Sequence, residues 1–214
     1  MPSIITHAAV PLALWCAADR GRIPPRLLAA GVIAAMLPDA DVLAFALHIP
    51  YADAFGHRGA SHSLLFACVL AAVAAVLAFF GSRRPWSIHR SSGSRRPWSA
   101  VLCQPRLAPT KAGSTVASTL QTAVFVFVCA ASHPLLDAMT SGGLGVALAW
   151  PWSEQRFFAP WRPIRVSPFA PQFFSARGVS TLLSELRWVW LPLATVVVAW
   201  KLIQPAPAAP RDPS

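Results

Sequence analysis

Residues 63–80 read SLLFACVLAAVAAVLAFF, 18 consecutive positions without a charged side chain. A helix over them rises about 1.5 Å per residue and reaches roughly 27 Å, close to the ~30 Å hydrocarbon core of a bilayer. The stretch predicts a transmembrane helix and thereby sets the class of the whole chain. Composition agrees: the 214 residues are 55% hydrophobic and 12% charged, against roughly 25% charged in soluble domains.

Working outward, Leu186–Ile203 predicts a second span, with Arg187 and Lys201 near its ends and tryptophans placed like an interfacial belt. Thr115–Leu136 predicts a third. Leu27–Leu47 is apolar but interrupted by Pro38, Asp39 and Asp41, which predicts a broken helix, because backbone groups freed at that depth must be satisfied inside the protein. Ile4–Ala18 is too short to span and predicts a re-entrant or interfacial helix. With no Lys or Arg before Arg20 it lacks the charged start of a signal peptide. The expected fold is therefore an all-α, polytopic membrane bundle of about four spans plus a short N-terminal apolar segment. It forms one membrane-embedded domain over 1–203, with a flexible loop at 81–114 and a disordered tail at 204–214.

The net charge of +10 does not by itself point to nucleic acid. Residues 81–114 hold six arginines and Lys111 without one acid, the pattern that the positive-inside rule and anionic headgroups select beside a span. Membrane lipids, not nucleic acid, are the expected partners. GSRRPWS occurs at 81–87 and again at 93–99, a duplication read as an insertion in a disordered linker with no chemistry. Cys16, Cys68, Cys103 and Cys129 have no C-x-x-C spacing and are read as buried small hydrophobes.

Placing the arginine-rich loop in the cytoplasm puts residues 47–63 and the chain after the third span on the opposite face. Whichever way the protein points, His62 begins one span and His133 ends the next, so both reach one face.

Between Arg20 and Ser153 the acids are Asp39, Asp41, Asp53 and Asp137, all in or beside apolar segments, and five of the six histidines share those zones. Unpaired carboxylates are expensive there, and such a gathering of His and Asp reads as a metal site. His133 and Asp137 are four apart, one helical turn, which suits two ligands of one cation or, equally, a hydrogen-bonded helix-end His with a capping Asp. Pro134 fits if a new helix starts there with Ser132 or His133 as its cap. Asp39 and Asp41, in LPDAD, cannot share a face of a regular helix but can both turn to a cavity at a break, or simply stop the helix. In GHRGASHS (56–63), Gly56 and Gly59 offer flexible backbone by which His57 and His62 can turn inward. Arg58 is placed to clamp an anionic substrate group such as phosphate, although all three could also be interfacial. His7 alone reads as readily as a structural histidine. His48 and Asp53 read as interfacial, and His89 belongs to the linker.

Taken together, an early His, LPDAD, GHRGASHSL, ASHPLLDAMTSGG and WPWSEQRFFAPWRPI, in that order over residues 1 to about 169, resemble the YdjM-type family of bacterial inner-membrane proteins, described as metal-dependent hydrolases. More distantly the pattern is similar to the zinc-dependent phospholipase C and P1-type nuclease group. That resemblance implies metal ligands at His7, Asp39, His62, His133 and Asp137, with Asp41 and His57 as bridging ligand or base. It also implies zinc as the divalent metal and a phosphoester or lipid-linked ester as substrate, cleaved by metal-activated water. No later His-x-x-x-Glu is present, since Glu154 and Glu185 lack a histidine four residues before; one or two ions are expected in place of three. The aromatic residues Trp150, Trp152, Trp161, Phe157 and Phe158 are read as interfacial anchors. A structural metal site, an ion or proton path, or an adaptor role is the alternative from another class.

Overall fold

The computed structural model describes residues 1–18, 22–82, 111–168 and 172–204. Residues 83–110 of the expected loop, with His89 and Cys103, and all of the expected tail except Gln204, lie outside them, whereas 81–82 and 111–114, expected in the loop, are helical. The described chain is helical, with two isolated β-bridges and no strands, and four of its helical stretches are long and apolar enough to cross a membrane.

A one-and-a-half-turn 3-10 helix over Ile4–Ala8 leads into α1, Ala9–Ala17. The first span, Pro25–Ala46, is α2 (Pro25–Met36), a 3-10 turn over Leu37–Val42 and the short α3 (Leu43–Ala46). The interruption falls on LPDAD, where Pro38 has no N–H to continue the α-helical ladder. After a loop and a second 3-10 turn, Ala60–His62, come α4 (Leu64–Ser82) and α5 (Lys111–Ala138).

Pro134 lies inside α5 and no new helix begins at Ser132 or His133, contrary to the sequence expectation. An internal proline of this kind is tolerated in a membrane helix, and the carbonyl it leaves without its helical donor is that of Ala130, four residues before. The last span also departs from expectation by starting ten residues early. Residues 176–203 form one continuous stretch: α6 (Ala176–Glu185), a π-helical turn over Leu186–Trp190, and α7 (Leu191–Ile203). Ser175 caps α6, its Oγ accepting from the Arg177 N–H, a start signal that hydropathy alone does not register.

The helices pack α4 on α5, α2 on α5, and α1 on α7. Between α2, α4 and α5 the core is mostly small: Ala34, Ala35, Ala67, Cys129, Ala130 and Ala131 around Phe125 and Val126. Lipid is as apolar as leucine, so helices in a bilayer gain little by burying large side chains and much by close approach. Leu77, Phe80 and Leu202 accordingly face outward. So do Cys16 and Cys68, which corrects their reading as buried residues, whereas Cys129 is buried. The largest fully buried side chains include Arg58, His7, His62, His133 and Glu185. The interior of this protein is where its polar chemistry sits.

Gly31 on α2 marks the closest approach: a Cβ there would stand 2.5 Å from the Phe125 ring and 3.0 Å from Cys129 Sγ. A leucine must push α2 off α5, and overpacking of this kind costs roughly 1–3 kcal/mol. Gly31→Leu is expected to lower the thermal unfolding midpoint of the detergent-solubilised protein, measured against wild type.

Candidate metal centre

Five residues expected as ligands gather at one buried point. His133 and Asp137 stand a turn apart on α5, and both are fully buried. His62 ends the 3-10 turn before α4 and Asp39 sits on the 3-10 turn after α2; ligand atoms of these four lie within 4.8 Å of one another. His7, from the Ile4–Ala8 turn, stacks on the His133 ring with centroids 3.7 Å apart. Its Nε2 lies 3.7 Å from Asp39 Oδ2 and 3.6 Å from Asp137 Oδ1.

The hydrogen bonds around the two central imidazoles fix where their lone pairs point. His133 Nδ1 faces the Ala35 carbonyl at 2.7 Å, and a carbonyl only accepts, so Nδ1 carries the proton. His62 Nδ1 lies 3.0 Å from Asp41 Oδ2, a carboxylate that likewise calls for a donor. In the neutral tautomers both Nε2 atoms are then acceptors, yet they face each other at 2.9 Å. Two facing lone pairs repel unless a proton or a cation lies between them.

The remaining separations have the scale of a coordination sphere. Asp137 Oδ2 is 3.2 Å from His62 Nε2, and Asp39 Oδ1 is 3.5 Å from His133 Nε2 and 4.0 Å from His62 Nε2. Ligand atoms bonded to one tetrahedral zinc at about 2.0–2.1 Å stand roughly 3.3 Å apart. All four carboxylate oxygens of Asp39 and Asp137, and both nitrogens of His7, have no hydrogen-bond partner although buried. Orphaned buried carboxylates are among the costliest arrangements in a protein. Around the point lie three carboxylates, Asp39, Asp41 and Asp137, and one guanidinium, Arg58. With the imidazoles neutral, as metal ligands are, a divalent cation would neutralise the two negative charges left over. The residues therefore fit a metal ion, and the group Asp39, His62, His133 and Asp137 could hold one.

Asp41 takes a different place from Asp39. A 3-10 turn advances by a third of a turn per residue, so residues two apart point in different directions. Asp39 faces the point, while Asp41 turns to the GHRGASHS loop. There it meets His57 Nδ1 at 2.5 Å and accepts from the Arg58 N–H at 2.9 Å and from Ser61 Oγ at 2.8 Å. A carboxylate holding a ligand histidine by its outer nitrogen fixes both tautomer and ring. Burial depresses the His62 pKa, but the Asp137 and Asp41 carboxylates outweigh it and push the imidazole up to about 9.

Arg58 faces inward. Its Nε lies 3.1 Å from Asp137 Oδ2, and its two terminal nitrogens donate to the Gly142 carbonyl and Thr140 Oγ1. With φ at 61° it adopts a backbone conformation that side chains rarely take and that surroundings must impose. Arg156, unremarked in the sequence, imposes it by donating to the carbonyls of Tyr51, Asp53, His57 and Arg58. Gly56 and Gly59 serve close packing, not flexibility: a Cβ at either would stand 2.2 Å from a carbonyl oxygen, of Pro50 or of Ala54. His48 and Asp53 are exposed.

Sequence reasoning also passed over Glu185. Fully buried, it accepts from the Ser3 N–H and Oγ, both at 2.5 Å, and from Thr6 Oγ1 at 2.8 Å, and Trp190 Nε1 reaches the same Thr6 oxygen. It thereby ties the turn that carries His7 to the last span. Its readable signal was a lone acid at the edge of an apolar stretch.

The comparisons with known proteins agree with this architecture. A family profile described as YdjM inner membrane protein matches residues 1–208. "Inner membrane protein YbcI" of Escherichia coli (strain K12) is 44% identical over 193 residues, 90% of this chain and 92% of that protein. No solved structure matches. With four spans around a buried His and Asp cluster, the chain belongs to the YdjM family of multi-pass proteins of the bacterial inner membrane.

Proposed function

We propose that the protein is a metal-dependent hydrolase that cleaves a phosphoester or a lipid-linked ester at the membrane surface. The observation that supports this is the donor set: two imidazoles and two carboxylates, with orphaned oxygens and no thiolate. Structural zinc sites are most often rich in cysteine, whereas His and carboxylate sets recur in hydrolytic ones. A divalent ion, zinc by resemblance, would supply Lewis acidity toward a phosphoryl oxygen and lower the pKa of water to about 7. One ion suits the four converging atoms, and His7 with the second oxygens of Asp39 and Asp137 offers donors for another.

The protein's own residues have separate tasks in this reading. Asp41 holds the proton on His62 Nδ1 so that Nε2 keeps its lone pair. His57 positions Asp41. Arg58 balances the charge of Asp137 and is not free to meet an anionic substrate. The site lies on the face opposite the arginine-rich loop, which the positive-inside rule puts in the cytoplasm, and substrate reaches it laterally from the lipid.

One observation favours a second reading, a structural metal. The four residues are at most 4% exposed, and four protein ligands are enough to close a tetrahedral sphere. Elemental analysis of the purified protein, combined with cleavage assays on bis(p-nitrophenyl) phosphate and on phospholipid vesicles, separates the two. Hydrolysis that disappears on chelation and returns with zinc is the expected result. Bound metal with no cleavage of either probe would establish the structural reading.

A further inference from the structure

Arg58 is turned inward, and further cationic side chains stand on the segment that follows α5 and on α6. Ser141 follows Thr140, the residue whose hydroxyl accepts from Arg58. The Ser141 N–H donates to the Ile164 carbonyl at 2.9 Å, and Ser141 Oγ accepts from the Val166 N–H at 3.4 Å. These bonds lay residues 140–142 beside 164–166, with a parallel bridge between Thr140 and Ile164. Against them stands the first turn and a half of α6. Between the two lies a cavity of about 230 Å³ lined by Ser141, Arg165, Val166, Arg177, Ser180 and Thr181.

Five of those six side chains are polar, two of them guanidinium groups. Among the described residues neither the Arg165 nor the Arg177 guanidinium has a hydrogen bond or a carboxylate partner; the bonds of these residues are made by their backbones, the N–H groups donating to Ser184 Oγ and Ser175 Oγ and the Arg177 carbonyl accepting from Ser180 Oγ and Thr181 Oγ1. The nearest buried acid on α6, Glu185, is occupied by Ser3 and Thr6. Ser141 Oγ already accepts, so its hydrogen remains for another acceptor, and Thr181 forms a buried floor. Both arginines are exposed at the mouth of the cavity, where two guanidinium groups lining one space favour an anion between them. Their planar forks match the oxygens of a phosphate.

We propose that this cavity binds a phosphate group, gripped by Arg165 and Arg177 with Ser141 and Ser180 at its rim. The group belongs either to a lipid headgroup or to a soluble phosphoester. The lipid source has support beside the cavity: other side chains of α6, Leu182 and Leu183 among them, line an apolar groove of about 360 Å³ together with Ile5 and Trp190. Phosphate binding here stands apart from any hydrolysis. Only the further step, that the cavity holds the substrate's phosphate beside the metal, rests on the hydrolase reading.

The test uses the full chain in a neutral detergent. Inorganic phosphate is titrated and followed by phosphorus NMR line broadening, and phosphatidylglycerol retained in mixed micelles is counted by native mass spectrometry. Arg165→Gln/Arg177→Gln is expected to weaken binding of one or both probes at least about tenfold, the scale of losing charge-assisted bidentate bonds. Arg177→Lys, which keeps the charge and loses the fork, should fall between. Arginine-dependent binding of the lipid alone assigns the headgroup, and of both probes a free phosphoryl group. Equal binding by wild type and double variant, with unchanged melting, would overturn the proposal and leave the arginines as interfacial side chains. Because neither arginine touches the metal centre, metal content should stay at wild-type level. A protein stripped of metal that still binds phosphate would uphold the cavity even where no hydrolysis is found.

Discussion

Asp137→Asn protein is expected to emerge from purification without metal. Asp137 contributes one of four converging donors, and asparagine keeps its size while removing the negative charge that draws a cation into a water-poor site. The informative partner is Asp41→Asn. Asp41 touches His62 from its outer side, so its loss disturbs the ligand's tautomer without removing a donor. Substitutions of that kind weaken metal affinity roughly 10–100-fold, and removal of a direct ligand should exceed this. Elemental analysis after dialysis against a graded zinc buffer therefore has an expected order: wild type tightest, Asp41→Asn intermediate, and Asp137→Asn and His62→Ala weakest. Full occupancy in Asp137→Asn would rule out the ligand set. Equal loss in Asp41→Asn and Asp137→Asn would instead make Asp41 a direct ligand.

Arg58→Met should be the most destabilising single substitution in the loop. The guanidinium is fully buried, and its removal leaves Asp137 without its 3.1 Å counter-charge and the Gly142 carbonyl without its donor. Breaking one half of a buried ion pair typically costs about 3–5 kcal/mol, because the remaining charge is stranded. Methionine also cannot anchor a residue held at φ 61°. Unfolding in detergent, followed by circular dichroism, measures the cost. The double variant Arg58→Met/Asp137→Asn should lose less than the sum of the single changes, since neither charge is then stranded. Strict additivity would mean that the two side chains do not share an interaction. The guanidinium would then be released from the role of charge partner.

The membrane class, the approximate number of spans and the gathering of His and Asp were legible in the sequence, and for one reason. A bilayer is a solvent with a fixed thickness and a high penalty for charge. An 18-residue run without charge therefore has one reading, and an aspartate inside such a run is conspicuous. The break at LPDAD was legible too, because Pro38 cannot continue a helix. Direction was not legible. Asp39 and Asp41 look alike in the chain, and only the 3-10 turn sends one to the point where the donors meet and the other behind His62. Arg58 looked like a clamp for an external anion, whereas its backbone at φ 61° and the four-carbonyl grip of Arg156 turn it in toward Asp137. Glu185 lies 182 residues from the Ser3 it binds, and His62 lies 71 from His133. Local pattern carries no record of such pairings. The sequence by itself determined that these polar side chains had to leave the lipid. Which of them meet was decided only by the packing of the helices, because in a membrane interior the partner of a buried charge comes from another segment of the chain.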